Sequence, residues 1–263
     1  MRLAREEELN DILDFLEPDL GNCVYLYMDI KKYGLNNKNM KVWVNNAPCL
    51  SSVVMRYYDS MQLYSSKEVE DSNEILECIC CENVKMISAP KSLIELLKED
   101  KRIGEQYNSK DGYTFWFGNY RKFPYEEIET ADIGDLKEIA ELICMDEEFS
   151  GNYQSEVLEK QLRERLLTGM GRNYKIQKDG KIIAHIATFA EEAQIAVTSG
   201  LIVHPQYRNF PYGTMLESYI VNVLQEEGFR VFTFINDRKR VKLQKALGHK
   251  ECGQYEKLMR KEE

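Results

Sequence analysis

The stretch that decides the fold is residues 200–216, which read Gly-Leu-Ile-Val-His-Pro-Gln-Tyr-Arg-Asn-Phe-Pro-Tyr-Gly-Thr-Met-Leu. Its apolar start, Leu201 to Val203, is typical of a strand that stops at Pro205. A short polar loop follows, and a helix is expected to begin near Pro211 to Gly213. A strand, a loop and a helix start in this order leave backbone N–H groups without partners at the positive end of the helix dipole. The stretch therefore predicts a phosphate-binding site.

The composition is that of a folded globular protein. The chain has 263 residues, of which 43% are hydrophobic and 30% are charged, and this length suffices for two domains. No apolar run approaches the roughly 20 residues that a membrane span needs. The residues from Met1 to Glu8 become acidic too early for a signal peptide. We therefore expect a cytoplasmic protein with no membrane partner.

The net charge of −9 argues against a general nucleic-acid binder, whose affinity would depend on a basic face. The basic run Arg238 to Arg240 is short. It fits a solvated helix face, a nucleic-acid patch or a local basic spot near a phosphate ligand, and we favour the last of these.

Seven cysteines are spread along the chain, and Cys78, Cys80 and Cys81 fall in one predicted helix. They have no second pair at zinc-ligand spacing, so reduced thiols and no metal site are expected. The three histidines form no arrangement in sequence that would activate a cysteine nucleophile.

The periodicity of apolar residues predicts a similar order of elements in both halves. The first half shows helix, helix, three strands, helix, strand, helix and strand, and the second half shows strand, helix, helix, three strands, helix, strand, helix and strand. This order predicts an α/β (α+β) fold with an antiparallel start, and it suggests an internal repeat. Residues 118–125 look like the join, which gives domains at residues 1–124 and 125–263.

From residue 126 onward the chain resembles the GNAT family of acyl-CoA-dependent N-acyltransferases. The family signature is a strand, then Val-x-Pro-x-x-Arg/Gln-x-x-Gly-x-Gly/Ala, then a helix, and it corresponds to Val203 through Gly213. A later family pattern of strand, Asn, helix and Gly-Phe corresponds to Phe232–Ile235, Asn236, the helix to Leu247 and Gly248-His249. The resemblance implies two GNAT-like mixed sheets flanked by helices, one in each half, with the coenzyme A site in the C-terminal one.

The N-terminal half is then similar to the degenerate GNAT-like domain of the glycine N-acyltransferase-like group. Residues Thr198 to Leu201 resemble a strand of that group. The N-terminal half shows no phosphate loop, so we expect it to cover one side of the acceptor pocket or to form a homodimer, and not to bind coenzyme A.

Three positions depart from the family pattern. Pro211 replaces the first loop glycine and removes one N–H, although proline suits the first position of a helix. Gln244 stands where many members carry a Tyr that protonates the leaving thiolate. Val197 stands where histone-modifying members carry a Glu base. Both common titratable groups are therefore missing.

The resemblance implies that the backbone N–H of Leu201 polarises the thioester carbonyl, and that Val203 bonds the pantetheine arm. Asn236 would also bond pantetheine, with a helix N-cap as the alternative role. Leu201 to Val203 should separate from the strand Val231 to Ile235 to leave a cleft. The implied coenzyme-binding residues are Leu201, Ile202, Val203, Arg208, Asn209, Phe210, Pro211, Tyr212, Gly213, Thr214 and Asn236.

No general base is evident in the sequence. Ser199 lies near the thioester in this mapping and joins Leu201 as a candidate catalytic residue, although a lone serine on a strand is more often structural. His204 adjoins the loop and could face solvent. His185 lies in the middle of a strand, where a hydrogen-bonded structural histidine is the commoner case. Deprotonation of the amine through water would suffice if the amine is weakly basic.

These features predict an N-acetyltransferase that transfers acetyl from acetyl-CoA to a primary amine of a small molecule by direct attack in a ternary complex. A longer acyl-CoA is a close variant. The rival hypothesis is a CoA-binding regulatory domain that has lost catalysis, and the missing Tyr and Glu favour it. The sequence does not identify the amine.

Overall fold

A computed structural model describes residues 1–45, 49–66, 72–146, 154–169 and 171–261. The chain divides into two compact units that are not continuous in sequence. The first unit contains Met1–Phe115, Ile235–Ala246 and Lys250–Glu263, and the second contains Trp116–Phe234 and Leu247–His249. The domain boundary at residue 124 concerns the sequence repeat, and it stays a prediction.

The first unit begins with a short strand and two helices, continues with a three-stranded meander, and alternates helices and strands thereafter. Its strands are β1 (Arg2–Leu3), β2 (Met40–Asn45), β3 (Ser52–Tyr57), β4 (Ser60–Ser65), β5 (Met86–Pro90), β6 (Tyr107–Trp116) and β12 (Lys250–Arg260). Its helices are α1 (Leu9–Leu16), α2 (Leu20–Tyr33), α3 (Asn73–Glu82), α4 (Lys91–Leu97), α5 (Lys101–Gly104) and α9 (Arg238–Ala246).

The sheet of the first unit has the strand order β1-β2-β3-β4-β5-β12-β6. Strands β1 to β4 pair antiparallel, β4 and β5 pair parallel, and β12 pairs antiparallel with β5. Apolar residues of α3 and α4, such as Ile79 and Ile94, pack with Met61 and Ile87 of the sheet in one buried core. The sheet is therefore mixed and covered by helices, as the family resemblance implies.

The second unit carries the stretch with which the sequence argument begins. Its strands are β7 (Ile128–Thr130), β8 (Asn173–Lys178), β9 (Lys181–Glu192), β10 (Ile195–Val203) and β11 (Arg230–Ile235), and its helices are α6 (Leu136–Cys144), α7 (Ser155–Leu167) and α8 (Tyr212–Glu226). The sheet order is β11-β10-β9-β8-β7, with β10 and β11 parallel and the other pairs antiparallel. Helix α8 packs in one core cluster, and α6 and α7 pack in another.

The two halves of the chain repeat the same order of elements. Apart from the short helix α5 between α4 and β6, strand β1 followed by α1, α2, β2, β3, β4, α3, β5, α4 and β6 matches β7 followed by α6, α7, β8, β9, β10, α8, β11, α9 and β12. The pairing directions match as well, because β4–β5 and β10–β11 are parallel and the strands before them are antiparallel. The predicted α/β fold and the repeated element order are confirmed.

The structure adds features that the sequence did not predict. Strand β1 and helix α5 were not predicted. The aromatic segment 113–117 predicts a short strand, whereas β6 begins already at Tyr107. The last strand of the chain, β12, pairs with β5 of the first half. The link between β4 and α3, where a phosphate loop of the N-terminal half would lie, includes residues 67–71, which are outside the described residues.

Two further findings concern the chain as a whole. All seven cysteines lie in described segments, and they are free thiols. Within the described ranges, no helix is long and apolar enough to cross a membrane.

Candidate functional site

Strand β10 carries a bulge at the place where it leaves β11. Its parallel pairing with β11 ends at Thr198 opposite Thr233. Its register with β9 then shifts between Ser199 and Ile202, so that β10 has one extra residue there. Gly200 lies in the bulge at φ +65°, a conformation that glycine adopts without steric cost. The predicted separation of the two strands is confirmed, because β10 continues to Val203 without this partner.

The alternation of the strand shows where the backbone of the separated segment points. The N–H of His204 donates to the carbonyl of Ile183 on β9, at 2.8 Å. In an extended strand the N–H groups of successive residues point to opposite edges. The N–H group of Val203 therefore points to the edge where the pairing with β11 has ended, and it faces the opening between the strands. Leu201 lies within the register shift, so this alternation does not extend to its N–H.

The loop after β10 ends in a helix start, as predicted. A single 3₁₀ turn, Pro205–Tyr207, follows the strand, and α8 begins at Tyr212. Pro211 is the N-cap of α8, one position before the first helical residue at which proline was expected. The first N–H groups of α8 have no partner within the helix, and they carry the positive end of its dipole.

The N–H groups of Arg208–Thr214 divide into two sets. Those of Arg208 and Phe210 donate to carbonyls of the preceding turn, at 3.4 and 3.0 Å, and Pro211 has none. Four amides remain, and no acceptor is recorded for them within the described segments. They belong to Asn209, Tyr212, Gly213 and Thr214.

The guanidinium of Arg208 bonds protein groups on both sides of the loop. Its Nε donates to the carbonyl of Val203 at 3.1 Å, and its terminal nitrogen lies 3.2 Å from Oδ2 of Asp146. The side chain is half exposed. Arg208 thus holds the end of β10 to the C-terminal end of α6, and only part of its charge faces solvent.

The other site residues of β10 have different surroundings. Ser199 is partly buried at the start of the bulge, opposite Ala187. Ile202 is buried against the helices α6 and α7, so only its backbone could meet a ligand. Nδ1 of His204 accepts from the N–H of Gln206 at 3.4 Å.

His185 is a hydrogen-bonded structural histidine, as predicted. It is fully buried, with Nδ1 3.0 Å from the carbonyl oxygen of Gly200 and Nε2 3.0 Å from Oδ1 of Asn173. Burial lowers the pKa of His185 to about 4, so the imidazole is neutral at physiological pH. Asn173 was not predicted as its partner, because only the register of β8 with β9 brings the two side chains together.

Asn236 lies in the first unit, at the end of β11. The hydroxyl of Tyr255 donates to its Oδ1. The alternative role as N-cap of α9 is wrong, because Asp237 accepts from the N–H groups of Lys239 and Arg240, at 2.5 and 3.3 Å. Its role toward pantetheine stays a prediction.

The positions of the two missing titratable groups are fully buried. Val197 lies on β10 opposite Phe232, and Gln244 lies on α9. Neither side chain can act as an acid or base at neutral pH. Within the described residues, no three His, Cys, Asp or Glu side chains form a group that could hold a metal ion.

Comparisons with known proteins agree with this geometry. Residues 136–248 match the family model described as acetyltransferase (GNAT) family. No curated protein sequence matches the chain.

Solved structures show the fold over nearly the whole chain. A Drosophila protein has a TM-score of 0.69 at 13% identity, covering 99% of this chain and 98% of its own. A GCN5-related N-acetyltransferase from Sphaerobacter thermophilus has a TM-score of 0.62 at 14% identity, covering 98% and 93%. A tandem GNAT protein from the clavulanic acid biosynthesis pathway has a TM-score of 0.59 at 12% identity, covering 96% and 94%. The chain has a GNAT fold and carries, over residues 136–248, a domain of the GNAT acetyltransferase family.

Proposed function

We propose that the protein is an N-acetyltransferase that transfers acetyl from acetyl-CoA to a primary amine of a small molecule. The observation that carries the proposal is the opening between β10 and β11 beside a helix start with four amides that have no partner among the described residues. An apolar slot next to a phosphate-binding helix end suits coenzyme A, which joins a pyrophosphate to a long pantetheine arm.

Each part of the coenzyme has a counterpart on the chain. The amides of Asn209 and of Tyr212 to Thr214 would hold the pyrophosphate, together with the dipole of α8. The free edge at Val203 would bond the pantetheine. The N–H of Leu201 would then meet the thioester carbonyl oxygen, where one fixed donor contributes about 3 kcal/mol at a transition state.

The chemistry is a direct acyl transfer in a ternary complex. The neutral amine attacks the thioester carbonyl carbon, a C–N bond forms, and the negative charge on the carbonyl oxygen is stabilised by the Leu201 amide. The C–S bond then breaks, the amine loses a proton to water, and the thiolate takes a proton from solvent. Ser199 lies on β10, two residues before Leu201, and we propose that its side chain hydrogen-bonds the acceptor amine.

A specific observation favours a second function, coenzyme A binding without catalysis. Val197 and Gln244 occupy the positions of the two titratable groups that other members use, and both are buried. A protein that bound the coenzyme but lacked any route for protons would serve as a sensor of acyl-CoA.

The test measures binding and turnover in parallel. Melting temperature is recorded with coenzyme A and acetyl-CoA, and thiol release is followed with a panel of small-molecule amines, with peptide amines, and with acyl chains of increasing length. Stabilisation by coenzyme A with thiol release on a small amine is the expected result. Stabilisation without release on any amine would favour the sensor, and no stabilisation would eliminate both functions.

A further inference from the structure

The peptide unit between Gly200 and Leu201 has functional groups at both ends. Its N–H belongs to Leu201. Its C=O belongs to Gly200, and this oxygen is hydrogen-bonded to Nδ1 of the His185 imidazole. We propose that His185 is a positioning residue that orients and polarises this peptide unit, so that the Leu201 N–H is a stronger and better aligned donor to the thioester oxygen. The inference rests on the proposed function.

The geometry of the bulge links the two ends of the peptide. A trans peptide directs its N–H and its C=O to opposite sides. The carbonyl of Gly200 points to the imidazole of His185, at 3.0 Å, so the N–H of Leu201 points away from that ring. This amide lies beyond Thr198, where the pairing of β10 with β11 has ended, and it is the donor that we assign to the opening between the strands.

The imidazole fits the bulge closely. A Cβ atom on Gly200 would lie 3.4 Å from Cε1 and 3.6 Å from Nδ1 of His185. The ring is fully buried, and Asn173, which holds its other nitrogen, is buried as well. An imidazole locked at both nitrogens fixes the orientation of the carbonyl that it bonds.

The hydrogen-bond partners determine the tautomer. Burial keeps the imidazole neutral, so it has a single N–H. The carbonyl of Gly200 can only accept, so this proton lies on Nδ1. Nε2 must then accept, which requires the amide of Asn173 to present its NH₂ group, and a 180° rotation of the carboxamide provides it.

The resulting chain of donors runs from Asn173 through the imidazole and the peptide unit to the thioester oxygen. Hydrogen bonds in such a chain polarise one another in a low-dielectric interior. A donor that is already polarised and oriented favours the transition state, in which the oxygen carries more charge than in the bound thioester. Loss of the His185 bond should therefore lower kcat more than it weakens acetyl-CoA binding.

Two substitutions test the roles of the two ring nitrogens of His185 one at a time. The amide nitrogen of His185→Asn takes the place of Nδ1 and can still donate to Gly200, whereas that of His185→Gln takes the place of Nε2. We expect kcat of His185→Gln to be about tenfold lower than that of His185→Asn, with Kd values for coenzyme A within about twofold. Equal kcat values in the two variants, or the reverse order, would overturn the proposal, because a role in packing alone does not distinguish them.

A spectroscopic measurement covers the case in which either variant fails to fold. The chain has three histidines, so nitrogen-15 labelling resolves their ring tautomers in the wild-type protein. The Nδ1–H tautomer at His185 and a downfield shift of the Leu201 amide proton on adding acetyl-CoA without amine are expected. An Nε2–H tautomer, or a Leu201 amide that does not respond to bound acetyl-CoA, would overturn the inference while leaving coenzyme binding intact. If acetyl-CoA does not bind at all, the proposed function itself fails.

Discussion

Gly213, in the first turn of α8, lies against β10 so closely that a Cβ atom there would be 3.4 Å from Cγ2 of Val203. The same atom would be 3.9 Å from Cδ1 of Leu201. The absence of a side chain thus lets the helix end approach the strand edge that we assign to pantetheine. The helix end and the strand edge form one site only at this distance.

Substitution of Gly213 by Val should separate them. The branched side chain meets the Val203 methyl and displaces the first turn of α8, so its amides no longer converge on a phosphate. We expect the Kd for coenzyme A to rise by about tenfold or more, which corresponds to the loss of one hydrogen bond to a charged group. Titration calorimetry measures this. Gly118→Val is the matched control, because no atom lies within 4 Å of its added Cβ. Equal losses in both variants would contradict the assignment.

Pro211 replaces a glycine of the family loop, and it contributes no N–H at the N-cap of α8. Pro211→Ala supplies the missing donor at a backbone angle, φ −79°, that alanine accepts. We expect coenzyme A to bind about three- to tenfold more tightly, with a greater loss of affinity at high salt than in the wild type. Weaker binding would show instead that the proline ring preorganises the loop and that no donor is missing.

Gly200→Ala should destabilise the protein and impair acetyl transfer together. Alanine at φ +65° costs about 1–2 kcal/mol, and the new methyl group presses on the imidazole of His185. Gly180→Ala is the control, because Gly180 has φ +74° and open space around its Cβ. Denaturant unfolding should show a loss in both variants. A fall in kcat should occur only in Gly200→Ala, and normal turnover there would exclude a role of the bulge geometry.

The helices and strands of the site could be predicted because each is specified by the spacing of apolar residues within it and by the residues that flank it. The stripe Leu216, Ile220 and Leu224 predicts α8 by its spacing, and these residues are buried. Residues Arg230 to Ile235, an apolar run that follows Gly228 and stops at Asn236, predict β11, and the strand has these bounds. The separation of β10 from β11 came from the family resemblance, not from the periodicity.

Features that depend on distant parts of the chain were not predictable in the same way. The pairing of β12 with β5 joins residues about 170 positions apart, and no pattern within either strand specifies it. Strand β1 has two residues, too few to show alternation. His185 was interpretable as structural, but its bond to Gly200 depends on a register shift that only the assembled sheet contains.

Asp29 provides a test of the first unit that is independent of the coenzyme. It lies on α2, where Nε2 of Gln62 donates to its Oδ2 at 2.8 Å. Burial raises the pKa of Asp29 to about 6, and the bond from Gln62 and the charge of Lys32 only partly offset this. The carboxylate is therefore less favourable in the folded protein than in the unfolded chain.

Substitution of Asp29 by Asn should stabilise the protein at neutral pH. A folded pKa above the unfolded value means that the folded state holds the proton more tightly, so wild-type stability falls as the pH rises from about 4 to about 6. Asparagine keeps an acceptor for Gln62 and removes the charge. We expect a gain of the order of 1–2 kcal/mol at pH 7.5, after allowance for the partial exposure of the side chain, and little gain at pH 4. Asp11→Asn, at an exposed position of α1, is the control for the loss of one carboxylate. Melting curves at both pH values decide the matter, because an equal shift at pH 4 and pH 7.5 would mean that burial of the charge is not the cause.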